Sequence, residues 1–397
     1  MTDLATRPAP PLLRRAAPAL LGYAAVRTLG LVALAGWSAA RDKSALILLS
    51  ARWDSLWYTR VAELGYGYEV RLPNGDVHSN LAFFPLLPWL ERAVSAVTPL
   101  SYAHAGLAVA TLASLVAAWG IFAVADHVYG RRAGVCAVLL WAVLPVGIVQ
   151  SMAYTESLFT ALAAWSLYAV LTGRWVVAGA LAALAGLTRP VGLAVVAALW
   201  AAAIVSYVRD RRPESAPPSG RNRSTEAPDS ARLASRALGM FLAPLGAVGY
   251  VLWVGRHTGR GPLGYLDVQA GWRNGFDGGY AFARFVADKF TSFPSALAGV
   301  GLIIGVALII WLYVVCVRQG QPLPLLVYTG VVTALALCAS SYFGSKPRLL
   351  MPAFPLLLPL ARALAGTRVS RSAAIVGAAA VVSALYGAFW LNGSGPP

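Results

Sequence analysis

The chain has 397 residues, of which 58% are hydrophobic and only 12% are charged, and its mean hydropathy is +0.65. Soluble domains carry about 25% charged residues, so this composition excludes an ordinary soluble protein and indicates a polytopic membrane protein. The net charge of +16 comes from basic residues in short loops and tails, not from a basic stripe with interleaved aromatic residues, which argues against nucleic acid as a partner.

Eleven apolar runs are predicted to be membrane-spanning helices, because a spanning helix needs about 20 mostly apolar residues. In chain order they are 16–39, 104–125, 133–150, 155–172, 175–188, 191–208, 237–255, 294–317, 322–341, 350–366 and 373–391. The first run is too long for the apolar core of a signal peptide and is predicted to be retained. The segment 81–98 is apolar but contains two prolines, Glu91 and Arg92, which favours an interfacial or re-entrant helix.

Basic residues in the short connections predict the orientation, because cytoplasmic loops carry an excess of Lys and Arg. The Arg-rich connections are the N-terminal tail, the 126–132 turn, the 209–236 loop and the 362–371 turn. Counting eleven spans from a cytoplasmic N-terminus places all of them in the cytoplasm. The same count places four connections outside the cell membrane: 40–103, 150–156, 256–293 and 342–349.

The segment 209–236 is rich in Pro, Ser and Arg and is typical of a flexible cytoplasmic linker. It divides an N-terminal transmembrane half, 1–208, which contains the long first outer loop 40–103, from a C-terminal half, 237–397. No internal repeat is evident, which argues mildly against an inverted-repeat transporter. The three cysteines and four histidines lack the spacing of a metal or haem site, so we expect no disulfide framework, no metal and no cofactor.

Polar residues at the membrane edge collect on the predicted outer face, where ionisable side chains are expensive and therefore indicate function. Asp54 lies among aromatic residues, and its carboxylate can accept a proton from an attacking hydroxyl. Arg189, Lys346 and Arg348 can hold a phosphate. We expect one outward cavity that also contains these substrate-binding side chains: Arg52, Trp53, Trp57, Tyr58, Tyr154, Glu156 and Trp272.

These residues also have structural interpretations. Asp54 could be a solvated helix-end residue, and Glu156 could simply favour the positive end of a helix dipole. Arg348 could be an interfacial side chain that reaches the headgroups, whereas Arg189, in a short corner between apolar runs, fits a functional role better. Trp272, beside Gln, Asn and Asp residues of the 256–293 loop, predicts a sugar-binding lip or else an ordinary polar loop.

Five motifs occur in order along the first half of the chain. They are Arg-Trp-Asp at 52–54, Gly-Tyr-x-Tyr-Glu at 65–69, Ala-Phe-Phe-Pro at 82–85, Ala-Tyr-Thr-Glu-Ser-Leu-Phe at 153–159 and Leu-Thr-Arg-Pro-Val-Gly-Leu at 187–193. With them the chain resembles the PIG-V type mannosyltransferases, multi-span GT-C glycosyltransferases of glycosylphosphatidylinositol anchor synthesis, and their bacterial relatives. The second half matches mainly through Arg348 and the Pro-rich helix after it.

The resemblance implies an all-α GT-C bundle that takes mannose from a polyprenyl-phosphate donor and transfers it, with inversion, to an acceptor hydroxyl on the outer face. It implies that Asp54 is the catalytic base and that Arg189 and Arg348 bind the donor phosphate. Lys346 is a further candidate for the phosphate because of its charge. Trp57 stands where eukaryotic members tend to carry His, and the first loop has an insertion at 71–78. The Ala-, Arg- and Gly-rich composition is that of a high-GC bacterium, where anchor synthesis of the eukaryotic kind is not expected. The acceptor is therefore open between a glycolipid, a polysaccharide precursor and a protein.

Two alternatives follow from the same residues. A flippase or transporter of lipid-linked sugars would use the same arginines but would not need Asp54 beside an acceptor groove. A GT-C transferase for another sugar, such as arabinose or glucose, would differ only in pocket contacts to the sugar hydroxyls, which the sequence does not place.

Overall fold

A computed structural model describes residues 11–211, 229–340 and 342–395, and nearly all of its regular structure is helical. The helices are α1 Leu12–Ala39, α2 Ala45–Ser50, α3 Asp54–Leu64, α4 Leu86–Val97, α5 Tyr102–Tyr129, α6 Arg131–Ala142, α7 Thr155–Leu171, α8 Trp175–Gly186, α9 Leu193–Asp210, α10 Asp229–Leu242, α11 Leu245–His257, α12 Gly264–Gly271, α13 Tyr280–Asp288, α14 Ser295–Arg318, α15 Leu323–Cys338, α16 Lys346–Leu350, α17 Leu358–Ala365 and α18 Val369–Leu391. Two short antiparallel ladders pair β1 Glu69–Arg71 with β2 Val77–Ser79, and β3 Gly275–Phe276 with β4 Ala339–Ser340.

The predicted fold class, an all-α multi-pass membrane protein, is confirmed, but the predicted count of eleven spans is not. Within the described residues six helices are long and apolar enough to cross a membrane, and a seventh span results if α16 and α17, bent by 72°, are taken with their flanking turns as one. The other four predicted spans, 133–150, 155–172, 175–188 and 322–341, correspond to the shorter helices α6, α7, α8 and α15. These helices have 12, 17, 12 and 16 residues, fewer than the roughly 20 that a straight span needs.

Local chemistry explains where the predicted spans break. Helix α6 ends at Ala142, just before Leu144-Pro145, because the residue before a proline is disfavoured in the helical conformation. A 3-10 turn at Gly147–Ser151 follows before α7 starts. The 72° bend lies where Pro352 and Pro355 interrupt the helical hydrogen bonds. Hydropathy does not register such breaks, because every residue in these turns except Gln150, Ser151 and the glycine is apolar.

The segment predicted to be interfacial forms α4, which lies beside α3 and against α5. Tyr58 of α3 and Leu87 of α4 share one core cluster with Ala113 of α5. Arg92 donates from Nε to the Ala62 carbonyl at 2.9 Å, which joins the later turns of α3 and α4. The segment predicted to be the first outer loop therefore contains packed helices, and they position the residues after Arg52.

The linker predicted at 209–236 lies mostly outside the described residues, because 212–228 are not among them. Helix α10 already includes residues 229–236, so the predicted C-terminal half begins eight residues earlier as helix. Arg236 pairs with Asp210 at 2.6 Å, so the end of α9 and the first part of α10 lie side by side. The division into two halves stays a prediction.

Candidate functional site

Asp54 begins helix α3 and is aimed by an unusual turn. Trp53, immediately before it, has φ 54° and ψ −121°, a conformation that favours glycine. Arg52 fixes the other side of the turn: its guanidinium donates to the carbonyls of Leu391 and Gly393, both at 2.8 Å, and lies 3.9 Å from the Trp53 ring centre. The Asp54 side chain is 31% exposed, so it stays accessible from outside the bundle.

Four charged side chains form a continuous chain of ion pairs. Arg348 approaches Asp54 Oδ2 with Nη1 at 2.7 Å and Glu156 Oε1 with Nε at 3.3 Å. Arg189 approaches the same Glu156 oxygen with Nη1 at 2.8 Å. The order is therefore Asp54, Arg348, Glu156, Arg189, with two acids and two bases in balance. The structure gives Glu156 this ion-pair role in addition to its place in the first turn of α7.

Burial makes this arrangement informative. The side chains of Glu156, Arg348 and Arg189 are only 2%, 9% and 14% exposed. Removing charges from water is costly even when they are paired, and a buried ion pair often adds no net stability compared with apolar packing. Three buried charges that lead to an accessible carboxylate therefore indicate a site with a chemical task.

Two tyrosines lie beside the ion-pair chain. Tyr154 accepts a hydrogen bond from the Asp54 backbone N–H at 3.3 Å, and its ring lies 5.0 Å from the Arg348 guanidinium carbon. The Tyr58 hydroxyl bonds the Thr155 hydroxyl at 3.0 Å. Burial raises the pKa of Tyr58, and the neighbouring Asp54 carboxylate adds to this rise, so its phenol stays neutral.

An aromatic cluster near Asp54 consists of Trp57, Tyr68, His78, Phe83 and Trp272. Trp57, one helical turn after Asp54, stacks on Phe83 with ring centres 5.6 Å apart and meets Trp272 edge-on at 4.9 Å. His78 stacks on the Trp272 ring at 3.9 Å. The predicted lip residue Trp272 thus comes from a distant loop to the neighbourhood of Trp57.

Lys346 does not join the chain of ion pairs. Its ammonium is buried and donates to the carbonyls of Ala336 at 2.7 Å and Ala339 at 2.9 Å, at the end of α15. The Phe282 ring lies 4.8 Å from it. Arg52 is likewise bonded to carbonyl oxygens, as described above. Both cations bind carbonyl oxygens at the ends of helices, and their predicted roles toward substrate stay predictions.

The structure contains an apolar groove with a volume of about 820 Å³, which was not predicted from the sequence. It runs between α4, α8 and α11, and residues on its rim include Trp89, Leu184, Leu187, Tyr250 and Trp253. Trp89 and Trp253 are 55% and 40% exposed, so the groove opens on the outside of the bundle. Leu187, one of the residues that line the groove, lies two residues before Arg189 in the chain. Tyr250 and Trp253, one helical turn apart on α11, were the available signal.

The described residues contain no group of three or more His, Cys, Asp or Glu side chains placed to hold a metal ion. The charged groups at hand are the two arginines and the two carboxylates of the ion-pair chain. The arrangement can hold an anion with the arginines and accept a proton on Asp54.

Comparisons with known proteins found one matching family model. The family model described as dolichyl-phosphate-mannose-protein mannosyltransferase matches residues 81–216, about a third of the chain. No curated protein matches the chain.

Solved structures resemble it along most of its length. ArnT from Cupriavidus metallidurans bound to undecaprenyl phosphate is 16% identical, with a TM-score of 0.53, over 91% of this chain and 62% of that protein. Its apo state is 18% identical, with a TM-score of 0.48, over 80% and 55%. AglB from Archaeoglobus fulgidus, in complex with an inhibitory peptide and a dolichol-phosphate, is 12% identical, with a TM-score of 0.49, over 94% and 56%. This chain therefore spans less than two thirds of the length of each. At such identities the likeness shows the fold, and the chain has the all-α, multi-pass architecture of the GT-C membrane glycosyltransferases.

Proposed function

We propose that the protein is a membrane glycosyltransferase that moves a mannosyl residue from a polyprenyl-phosphate donor to an acceptor hydroxyl at the outer face of the cell membrane. One observation carries the proposal: a buried chain of ion pairs joins an accessible carboxylate, Asp54, to two arginines, Arg348 and Arg189. Sugar transfer from a phosphate leaving group requires a carboxylate that can accept the acceptor's proton, and cations beside it that bind the phosphate.

The groove supports a lipid-linked donor. Its lining is almost wholly apolar, two of the residues that line it are exposed tryptophans, and another, Leu187, lies two residues before Arg189 in the chain. An isoprenoid chain buries apolar surface in such a groove at about 25 cal/mol per Å². A phosphate at the head of that chain would then lie near the guanidinium groups.

The arginines act on the leaving group. A polyprenyl-phosphate sugar carries one negative charge, and its phosphate gains a second as the bond to the anomeric carbon breaks. Arg189 and Arg348 neutralise this developing charge, and Glu156, which touches both, keeps them together. Lys346, two residues before Arg348, is a further candidate ligand for the phosphate only if its carbonyl contacts are exchanged.

Asp54 acts on the acceptor. Arg348 holds its Oδ2, which leaves Oδ1 to take the proton of the acceptor hydroxyl as that oxygen attacks the anomeric carbon. The carbon–phosphate oxygen bond breaks on the opposite side, so a β-linked donor gives an α-linked product. Trp57 and Trp272 form the outer wall near the acceptor, with Tyr58 and Tyr154 behind Asp54.

Mannose is the sugar we propose, because the family whose model matches residues 81–216 is described by its mannosyl donor and because five sequence motifs resemble the PIG-V type enzymes. The acceptor we propose is a lipid or glycan hydroxyl.

Asp54→Asn tests the base. It keeps the size and one hydrogen-bond acceptor of the side chain but cannot take up a proton, so transfer of radiolabelled mannose from polyprenyl-phosphate mannose into lipid extracts should fall by about 10²- to 10⁴-fold. Binding of undecaprenyl phosphate to the purified protein should persist, because Arg189 still pairs with Glu156. Glu63→Asn, an exposed acid at the other end of α3, is the matched control and should transfer normally.

Turnover by Asp54→Asn at the rate of the control would remove Asp54 as the base. Binding of the lipid phosphate without transfer by the unaltered chain, from mannose, glucose or arabinose donors, would favour a transporter.

A further inference from the structure

A buried arginine in the middle of α1 plays no direct part in the chemistry above. Arg27 is only 9% exposed, and its two terminal guanidinium nitrogens donate to the carbonyls of Ala142 and Gly147. A charged side chain at membrane depth is expensive and indicates a function. Its partners here are backbone oxygens at the break between α6 and α7.

The break leaves carbonyl groups that need donors, as every helix end does. Arg27 donates to the carbonyl of Ala142, the last residue of α6, and Gln150 donates to the Trp141 carbonyl at 2.7 Å. Gly147 fits closely into the same place. A Cβ there would lie 2.7 Å from the Ala142 carbonyl oxygen and 2.9 Å from Arg27 Nη2. The break is therefore a specific packed turn.

This turn leads directly to the site. Ser157, in the first turn of α7 beside Glu156, donates to the Gln150 carbonyl at 3.1 Å. The Ala153 N–H donates to the Leu49 carbonyl at 2.9 Å, which ties the turn to the segment just before Arg52. Both acids of the ion-pair chain thus depend on the path of residues 143–154.

We propose that Arg27 is a positioning residue for the glycosyl transfer: by fixing the Ala142–Gly147 turn it aims Tyr154 and Glu156 at Asp54 and Arg348. The proposal rests on the proposed function for its kinetic consequence but on the geometry alone for its structural one. Arg27 touches no reacting group and acts only through the turn.

Gly147→Ala tests this without removing a buried charge. The added methyl group displaces Arg27 or the Ala142 carbonyl, and a shift of about 1 Å in the acids should lower kcat about 100-fold. The KM for the acceptor should change little, because Trp57 and Trp272 are not bonded to the turn. Amide hydrogen exchange across residues 147–156 should quicken. Gly30→Ala, on the same helix as Arg27 and with no atom of another helix within 4 Å of the added Cβ, is the control.

A second pair of variants tests Arg27 itself, without a change at Gly147. Arg27→Lys keeps a donor and the charge, so it should transfer faster than Arg27→Met, which has neither. Equal kcat in Gly147→Ala and Gly30→Ala, or unchanged exchange at 147–156, would overturn the proposal.

If the unaltered chain transfers no sugar, the proposed function fails. Binding of undecaprenyl phosphate then replaces transfer as the test of whether Arg27 positions the ion-pair chain. Weaker binding by Gly147→Ala than by Gly30→Ala supports the positioning role of Arg27, and equal binding refutes it.

Discussion

At the residue scale, the turn before Asp54 holds a tryptophan in a conformation that L residues rarely adopt. Non-glycine residues in such regions carry roughly 1–3 kcal/mol of strain, and that strain tends to occur at functional sites. Trp53, at φ 54° and ψ −121°, stays there because Arg52 holds the turn and covers its ring. Helix α3 begins directly after this turn, and the Asp54 carboxylate contacts Arg348.

We predict that Trp53→Gly is more stable than Trp53→Ala by about 1 kcal/mol, since only the alanine Cβ is strained at this φ. Both variants lose the same ring, so the difference isolates the backbone. Urea unfolding in detergent measures it. The same pair at Trp37, inside helix α1, should show the opposite sign, because alanine is favoured there by about 1 kcal/mol. Equal stability of the two Trp53 variants would mean that the turn is unstrained.

Sequence reasoning named Asp54, Tyr154, Glu156, Arg189 and Arg348, and the structure brings these five together. Such residues stand out because charge at the membrane edge is expensive. The partners of Lys346 and Arg52 could not be predicted, because they are backbone oxygens contributed by α15 and by the end of α18. Every residue carries a backbone carbonyl, so the residue type does not identify which carbonyl accepts the hydrogen bond.

At the element scale, α4 carries a buried acid that the proposed chemistry does not use. Glu91 is fully buried between α4 and α5, where a Cβ on Gly106 would overlap its carboxyl group. Neither of its oxygens has a hydrogen-bond partner among the described residues. Burial raises the pKa of Glu91 to about 9, so it is protonated at neutral pH.

The pH dependence follows from the sign of this shift. An unfolded Glu91 releases its proton above about pH 4.3, whereas the folded one keeps it up to about pH 9. Its contribution to stability is therefore fully present at acid pH and is lost as pH rises through this window, by at most about 1.4 kcal/mol per pH unit. We predict that Glu91→Gln, which cannot ionise, gains stability relative to the unaltered chain as pH rises from 5 to 9.

Melting curves at several pH values check this prediction. Glu63→Gln, an exposed glutamate of α3, should keep the pH dependence of the unaltered chain. A stability difference between Glu91→Gln and the unaltered chain that is the same at pH 5 and pH 9 would show that Glu91 is not buried as a neutral acid.

Element boundaries were predictable where a helix is long and uninterrupted, as in α5, α14 and α18. They were not predictable where tertiary contacts complete a break. The run 133–150 reads as one apolar span, but Arg27 and Gln150 satisfy the carbonyls that its interruption leaves free. Arg27 lies on another helix, 115 residues from Ala142, and Gln150 lies in the 3-10 turn after the break, so the hydropathy of the run does not show that its free carbonyls have donors.

At the scale of the whole molecule, composition alone predicted a polytopic membrane protein, because 12% charge cannot cover a soluble surface of this size. The all-α class was predicted from the long apolar runs and the family resemblance. The groove between α4, α8 and α11 could not be predicted, since it depends on how closely α11 approaches α8. A Cβ on Gly246 would overlap the Ala183 carbonyl, so only glycine allows that approach. Shape of this kind is a property of the packed bundle.

Orientation is the remaining prediction at this scale. With the N-terminus in the cytoplasm, Asn74 in the turn between β1 and β2 faces outward and Ser370 at the start of α18 faces inward. A membrane-impermeant thiol reagent applied to intact cells should label Asn74→Cys and leave Ser370→Cys unlabelled until the membrane is opened, with the unaltered chain as background. Labelling of Ser370→Cys alone would reverse the orientation and move the proposed site to the cytoplasm.

The sideways opening of the apolar groove has a kinetic consequence for the proposed reaction. A donor that enters from the bilayer is collected by diffusion in two dimensions, and its isoprenoid chain passes from lipid to protein with little change in exposure to water. The concentration that governs the rate is then the mole fraction of donor among the lipids, not its amount per volume of solution. Diluting the membrane with inert lipid slows such an enzyme as surely as removing its substrate.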